Sequence, residues 1–157
     1  MAELLHEVNI LPYAPELDVN FKQLNIAWIA KYFTVETHDI EQLDHPDEHI
    51  IKDGGRIFFA ELNGEIVGTC ALIKTGEHEF ELAKMAVAEG LRGKQIGKKI
   101  GLAVINEAKK LGTQRLWLES NRILTTAINL YHKLGFIEVP ITATPYARAD
   151  IRMEIWL

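Results

Sequence analysis

The sequence predicts a mixed α/β fold in which an antiparallel meander feeds a strand–loop–helix–strand unit. Three observations carry this. Two β-rich runs in "RIFFAELNGEIVGTCALIK" flank Asn63-Gly64, a strong hairpin signal because a two-residue turn needs positive φ at both positions. A third β-rich run, "HEFELAKMAV", follows directly. Beyond a glycine loop, apolar residues at Ile96, Ile100, Ala103, Val104 and Leu111 fall on one helical stripe.

Taken in order, "LLHEVNIL" reads as the first strand. The following segment carries Leu17, Phe21, Leu24, Trp28 and Phe33 at near-helical spacing, which predicts a first helix. "DIEQLDHPDEHIIKDGG" reads as short helical turns closed by Gly54 and Gly55. The meander comes next, and then the helix from Ile96, which Gly112 stops. "RLWLES" is strand-like, and "TTAINLYHKLG" is a helix with Ala127, Leu130, Tyr131 and Leu134 on one face, ended by Gly135. "FIEV" and "ADIRMEIWL" close the chain as strands. No repeat, low-complexity tract or Pro/Gly/Ser-rich linker interrupts residues 1–157, so one domain is expected.

Composition narrows the function. At 48% hydrophobic and 25% charged residues, the chain can bury an ordinary globular core. No apolar run approaches the ~20 residues that a bilayer span requires. The opening "MAELLHEVNI" lacks a basic start of the signal-peptide kind, and the lone Cys70 cannot form an internal disulfide. A cytoplasmic setting is therefore expected. A net charge of −5 argues against nucleic acid or an anionic membrane as partner. That charge is unevenly spread, at −11 over residues 1–81 and +6 over residues 82–157. Either the second half is built around an anion and the first attracts cationic amines, or the asymmetry merely reflects solvated faces.

The stretch "MAVAEGLRGKQIGKKIG", residues 85 to 101, decides which reading to follow. Gly93 and Gly97 stand among Arg92, Lys94 and Lys98 where an apolar strand gives way to a helix. Exposed N–H groups at a helix start, reinforced by the macrodipole, suit a phosphate. Neither the Walker pattern nor G-x-G-x-x-G is present, which disfavours a nucleotide-triphosphate loop and a dinucleotide fold. A basic turn that simply caps a helix is the plain alternative.

The surrounding residues weigh against that alternative. "ELAKMAVAEGLRGKQIGKKIGLAVINEAKKLG" followed by "LWLES-N-RILTTAINLYHKLGF" resembles the GNAT superfamily of acyl-CoA-dependent N-acyltransferases, over roughly residues 79 to 139. The resemblance implies a mostly antiparallel central sheet flanked by helices, in a single domain. It also implies acetyl-CoA as cosubstrate, with no metal. The family's pyrophosphate loop reads [Q/R]-x-x-G-x-[G/A], and Arg92, Gln95 and Gly97 occupy the matching positions, so Gln95 stands where the middle glycine would be. The substitution calls for a Gln95 side chain turned away from the phosphates, which a helical backbone would allow.

By the same resemblance, Met85, Ala86 and Val87 pair with the pantetheine arm and polarise the thioester carbonyl. Arg92, Gly93, Lys94, Gln95, Ile96, Gly97 and Lys98 cradle the pyrophosphate, and Asn121 hydrogen-bonds the cofactor arm. Tyr131, in "YHKLGF", sits near the departing thiolate, although a core aromatic would fit the same helix face. Glu81, in "FELAKM", takes the place of a base acting directly or through water, or of a structural glutamate.

The chemistry calls for groups of these kinds. A lysine-like amine with pKa ~10.4 is neutral in only about one molecule in 10³ at pH 7, a handicap of ~4–5 kcal/mol for direct attack. A base or the electrostatics of the site can offset that handicap, and a phenol of pKa ~10 can protonate the leaving thiolate. The expected function is thus transfer of an acetyl group from acetyl-CoA to a primary amine, on a small molecule or a peptide, by direct nucleophilic attack. A catalytically silent CoA-binding regulatory module is the alternative on the same fold, and homodimerisation is left open. Acceptor specificity is expected from the first helices and from "PITATPYARAD"; Tyr13, Trp28, Glu36 and Asp39 are candidates for lining the site. A different class is raised only by "HPDEH", residues 45–49, which matches the inverted zinc-peptidase pattern. Zinc ligation there needs both histidines inside one helix, and Pro46 in a first helical turn leaves His45 outside it.

Overall fold

The computed structural model describes residues 8–91 and 95–157. Its centre is a seven-stranded sheet in the order β1-β2-β3-β4-β5-β7-β6, built from β1 (Asn9–Pro12), β2 (Arg56–Leu62), β3 (Glu65–Gly76), β4 (Glu79–Val87), β5 (Arg115–Ser120), β6 (Ile137–Val139) and β7 (Ile151–Trp156). Every neighbouring pair is antiparallel except β4 and β5, which run parallel. Among the described residues four α-helices accompany it: α1 (Asp18–Tyr32), α2 (Thr37–Asp44), α3 (Ile96–Lys110) and α4 (Thr125–Leu134). The expected mixed α/β class and mostly antiparallel sheet are therefore what the chain adopts.

The β2–β3 hairpin turns on Asn63 (φ 52) and Gly64 (φ 83), with Leu62 opposite Glu65. Alternation along β2 and β3 sends Ile57, Phe59 and Ala71 to one face and Ala60, Cys70 and Leu72 to the other. Helices cover both faces, which is why residues 67–72 are buried without a break. Against one face pack Ile96, Ile100, Val104 and Ala108 of α3, together with Leu116, Tyr131 and Met153. Against the other pack Phe21 of α1, Leu43 of α2 and Ile50.

Helix α1 differs in detail from its expected stripe. Its buried positions are Phe21, Asn25 and Ile29, so the helix is rotated relative to the face defined by Leu24 and Trp28. The polar Asn25 survives burial because its Nδ2 donates to the Phe21 carbonyl at 3.0 Å and its Oδ1 accepts from Trp28 Nε1 at 3.2 Å. Those bonds leave the Trp28 ring half-buried and free to face a cavity. The turns after α2 follow the expected course: His45 is non-helical (φ −133, ψ 61) and Pro46 precedes one π-helical turn, Asp47–Ile51.

One irregularity of the sheet governs the site. Thr69 pairs with Ala86 and Ala71 with Ala83, so residues 84 and 85 together oppose Cys70. This is a bulge, and Lys84 within it takes the left-handed backbone (φ 53). Bulges sharpen strand twist, and β4 parts from β5 just before this point. Their pairing covers only Glu79↔Arg115, Phe80↔Leu116 and Glu81↔Trp117. Beyond it β4 stays with β3, while β5 stays with β7 as far as Ser120↔Ile151. Arg115 staples the closed end, bonding Glu79 at 2.9 Å and Glu154 at 2.8 Å.

Candidate active site

The opening between the diverging strands is a cavity of about 680 Å³. Residues 82–87 of β4 pass the last β5 pair, so among the described residues their main chain on that side meets the cavity rather than another strand. Met85, Ala86 and Val87 all line it. Helix α3 begins at its edge, and Gln95, Ile96, Gly97 and Lys98 line it there. The Lys99 N–H bonds Gln95 O at 3.1 Å, and the N–H groups of Ile96, Gly97 and Lys98 belong to the first turn of α3, its N-terminal end. Such an end suits an anion. The expected positions Arg92, Gly93 and Lys94 lie outside the described residues.

Gln95 departs from the helical backbone expected of it. It is the N-cap of α3, left-handed at φ 63 and ψ 15, a conformation that glycine adopts at less cost. Gly97 is needed for closeness instead: a Cβ there would stand 3.2 Å from Leu130 Cδ2 and 3.9 Å from both Met85 Cε and Val87 Cγ2. One turn on, a Cβ at Gly101 would meet Leu134 Cδ1 at 2.6 Å. The two glycines form a smooth track on α3 against which α4 lies.

Glu81 holds the apex of the opening, at the last paired position of β4. It lines the cavity, is 9% exposed, and makes no side-chain hydrogen bond among the described residues. Burial pushes its pKa up to about 7; Lys84 and Arg152 pull it down and Glu119 pushes it up. A carboxyl of that kind exchanges its proton near neutrality. Tyr131 of α4 lies across the cavity wall, buried, with its hydroxyl 4.0 Å from Met85 Sδ and its ring edge-on to Phe136. Burial raises its pKa, so the phenol keeps its proton. Asn121 follows β5 and also lines the cavity, but part of its amide is engaged: Nδ2 donates to Arg148 O at 2.7 Å and Oδ1 accepts from Ile123 N–H at 3.0 Å.

Both segments expected to set specificity reach the cavity. Trp28, Tyr32 and Phe33 come from the end of α1 and beyond, and Tyr146, Arg148 and Ala149 from the segment before β7. Tyr13 does not, since it bonds Asp18 at 2.9 Å elsewhere. Asp39 and Glu36 stand behind the wall. Asp39, fully buried, accepts from Lys84 Nζ at 2.7 Å and from both Nη atoms of Arg148 at 2.7 and 2.8 Å. Burial alone would raise its pKa, yet the bonds from Arg148 and Lys84 hold it well below the usual carboxylate range. The Lys84 ammonium also touches Tyr146, at 3.3 Å from the hydroxyl and 4.7 Å from the ring centre.

Tyr146 and Arg148 lie in the segment expected to set specificity, though nothing singles them out within it, and Lys84 is a cavity residue that reasoning from sequence missed. A lysine inside the apolar strand "ELAKMAV" was the one available signal, because a buried cation demands a partner. In the segment matching the zinc-peptidase pattern, the His45 and His49 rings are 6.4 Å apart, and no group of three or more His, Cys, Asp or Glu among the described residues is placed to hold a metal.

Comparison with known proteins agrees with this geometry. The model of the acetyltransferase (GNAT) family matches residues 22–136. The chain is 33% identical over 105 residues to the uncharacterized N-acetyltransferase YjgM of Escherichia coli, covering 64% of this chain and 63% of YjgM. It is 31% identical over 121 residues to the uncharacterized N-acetyltransferase YvbK of Bacillus subtilis, covering 75% of this chain and 77% of YvbK. Among solved structures, a GNAT-family acetyltransferase from Staphylococcus aureus superposes with a TM-score of 0.84 at 22% identity, over 94% of this chain and 97% of that one. The putative acetyltransferase yncA of Salmonella typhimurium, solved with acetyl-CoA, superposes at 0.76 and 16% identity over 96% and 94%. With its family model covering β2 to β5, the glycine loop, α3 and α4, the chain belongs to the acetyltransferase (GNAT) family.

Proposed function

We propose that the chain transfers an acetyl group from acetyl-CoA to a primary amine by direct attack. The observation that carries this is the unpaired flank of β4 at Met85, Ala86 and Val87, facing a cavity with a neutral-range carboxyl at its apex and a helix N-terminus at its rim. In this reading the β4 main chain pairs with the pantetheine amides, as a strand would, and its N–H groups stabilise the developing oxyanion. The N–H groups at the start of α3, with Lys98 and residues 92–94, hold the pyrophosphate. Asn121, already fixed by Arg148 and Ile123, presents its remaining amide donor to the cofactor arm.

Glu81 takes the proton from the attacking ammonium, directly or through water, because a carboxyl with pKa near 7 is about half ionised at pH 7 and can pass between its two forms there. Tyr131 donates to the sulfur as the C–S bond breaks. The cosubstrate supplies the activated acyl group; the protein supplies orientation and proton transfer. Purified protein incubated with acetyl-CoA and an amine panel should release free thiol with at least one amine. Tight CoA binding with no thiol release from any acceptor would instead identify a CoA-binding regulatory module.

A further inference from the structure

Arg148 and Lys84 line the cavity, whereas the two carboxylates that neutralise them, Asp39 and Glu36, do not. At this wall Arg148 therefore lines the cavity in front of the carboxylates that pair with it, while Glu81 and Glu119 line the cavity as well. The acidity of the first half of the chain, which by composition points to cationic acceptors, is at this wall taken up by Arg148 and Lys84.

The donors of Arg148 can be followed one by one. A guanidinium has five N–H groups in a fixed plane. Nη1 donates to Asp39 Oδ2 at 2.8 Å and to Glu36 Oε2 at 3.2 Å, and Nη2 donates to Asp39 Oδ1 at 2.7 Å. Asp39 thus occupies the Nη1–Nη2 edge. The Nε–H and the second Nη2–H remain, without a hydrogen bond among the described residues. Covalent geometry makes these two parallel, and together they form the side-on fork that matches a carboxylate. The guanidinium carbon lies 5.8 Å from the Trp28 ring centre and 4.8 Å from that of Tyr146, so two aromatic rings and two carboxylates fix the fork's position. Trp28, Tyr32 and Phe33 supply apolar lining to the same cavity.

We infer that the acceptor is an amine that also carries a carboxylate and an apolar or aromatic body, in the manner of an α-amino acid, and that its carboxylate docks on the Nε–Nη2 edge of Arg148. This rests on the transfer reading of the same cavity. The clamp fixes one end of the acceptor so that its amine is presented toward Glu81, and an acceptor without the anion leaves the fork unpaired.

Calorimetry with N-acetyl-L-phenylalanine and its primary amide tests the carboxylate without requiring turnover. The acid should bind at least ~10-fold more tightly than the amide. The acid–amide ratio should fall toward one in Arg148→Gln. Equal binding of acid and amide, or binding of neither, overturns the inference; should Arg148→Gln not fold, the wild-type ratio decides alone. Thiol release from acetyl-CoA, measured with phenylalanine and with phenylalanine amide, separates the two readings. Equal turnover of both acceptors overturns the carboxylate clamp and leaves acetyl transfer standing. Preferential binding of the acid with no thiol release upholds the clamp and removes the transfer reading.

Discussion

The Nζ of Lys84 lies 2.7 Å from Oδ1 of Asp39, and neither side chain reaches solvent. The pair joins α2 to the bulge of β4 across 45 positions of sequence, and Arg148 adds the segment before β7 to the same carboxylate. Two lining segments of the cavity, β4 and the stretch before β7, are thereby tied to α2 through one anion. Breaking such a cluster by removing a single partner leaves uncompensated charge in the interior, which costs far more than the intact cluster contributes.

Asp39→Asn is therefore expected to destabilise the protein by about 3–5 kcal/mol in chemical denaturation at pH 7. Adding Lys84→Met should restore part of the loss, because one stranded cation is then gone. Asp39 also sets an acid limit. Its folded pKa lies below the ordinary 3.8, so its contribution is fully present above that value and drains away as pH falls below it. A loss under about 1 kcal/mol in Asp39→Asn would mean that water reaches the cluster and screens it.

Glu81 predicts the opposite pH sense. Its folded pKa of about 7 exceeds the ordinary 4.5, so between those values the native state holds a proton that the unfolded chain has lost. Stability should fall as pH rises through that window, by roughly 3 kcal/mol in all. Glu81→Gln should flatten that slope in melting curves recorded from pH 4 to 8. The same substitution should lower kcat/KM by ~10²-fold and remove its rise around pH 7. A wild-type pH–rate profile in the variant would assign Glu81 to structure alone.

How much of this could be read from residues alone depends on what fixed each feature. The Asn63-Gly64 hairpin, the helix stops at Gly112 and Gly135 and the strand order of the meander are local, so spacing and turn chemistry identify them. The family-matched positions Glu81, Met85, Ala86, Val87, Asn121 and Tyr131 gather at one cavity because a contiguous motif places them on adjoining elements. The acceptor wall was legible only by segment, and its pairing was not, for the opposite reason. Arg148 meets Asp39 and Lys84 only when the segment before β7 folds back across the sheet, and the bulge that orients Lys84 puts a non-glycine residue at positive φ. The face of α1 was misjudged because a hydrogen-bonded Asn25 substitutes for an apolar core residue.

At the start of α3, two substitutions should act in opposite directions. Gln95→Gly relieves a left-handed side chain and should raise stability by roughly 0.5–1 kcal/mol without loss of CoA binding. Gly97→Val drives its branch toward Leu130 and the Met85–Val87 wall, parting α3 from α4 at the cavity rim. CoA affinity measured by calorimetry should drop at least ~10-fold. Unchanged affinity in a folded Gly97→Val protein would place the pyrophosphate elsewhere.

Tyr131→Phe tests the proton donor most directly. The hydroxyl's nearest polar partner is the weak acceptor Met85 Sδ at 4.0 Å, while the ring itself packs edge-on against Phe136 and within the main core. Removing the oxygen therefore leaves the packing intact and strands no strong donor or acceptor, so the melting profile should match wild type. Burial keeps the phenol protonated at every working pH, so the proposed donor role needs no titration to switch it on, although the same burial makes it a weaker acid. Without it, the thiolate must depart unprotonated or wait for water, and kcat should fall by ~10²-fold with acetyl-CoA binding nearly unchanged. Pre-steady-state kinetics must first establish that chemistry limits turnover, because slow product release would hide the effect. If chemistry is limiting and Tyr131→Phe still turns over at the wild-type rate, the tyrosine only fills the core and water protonates the sulfur.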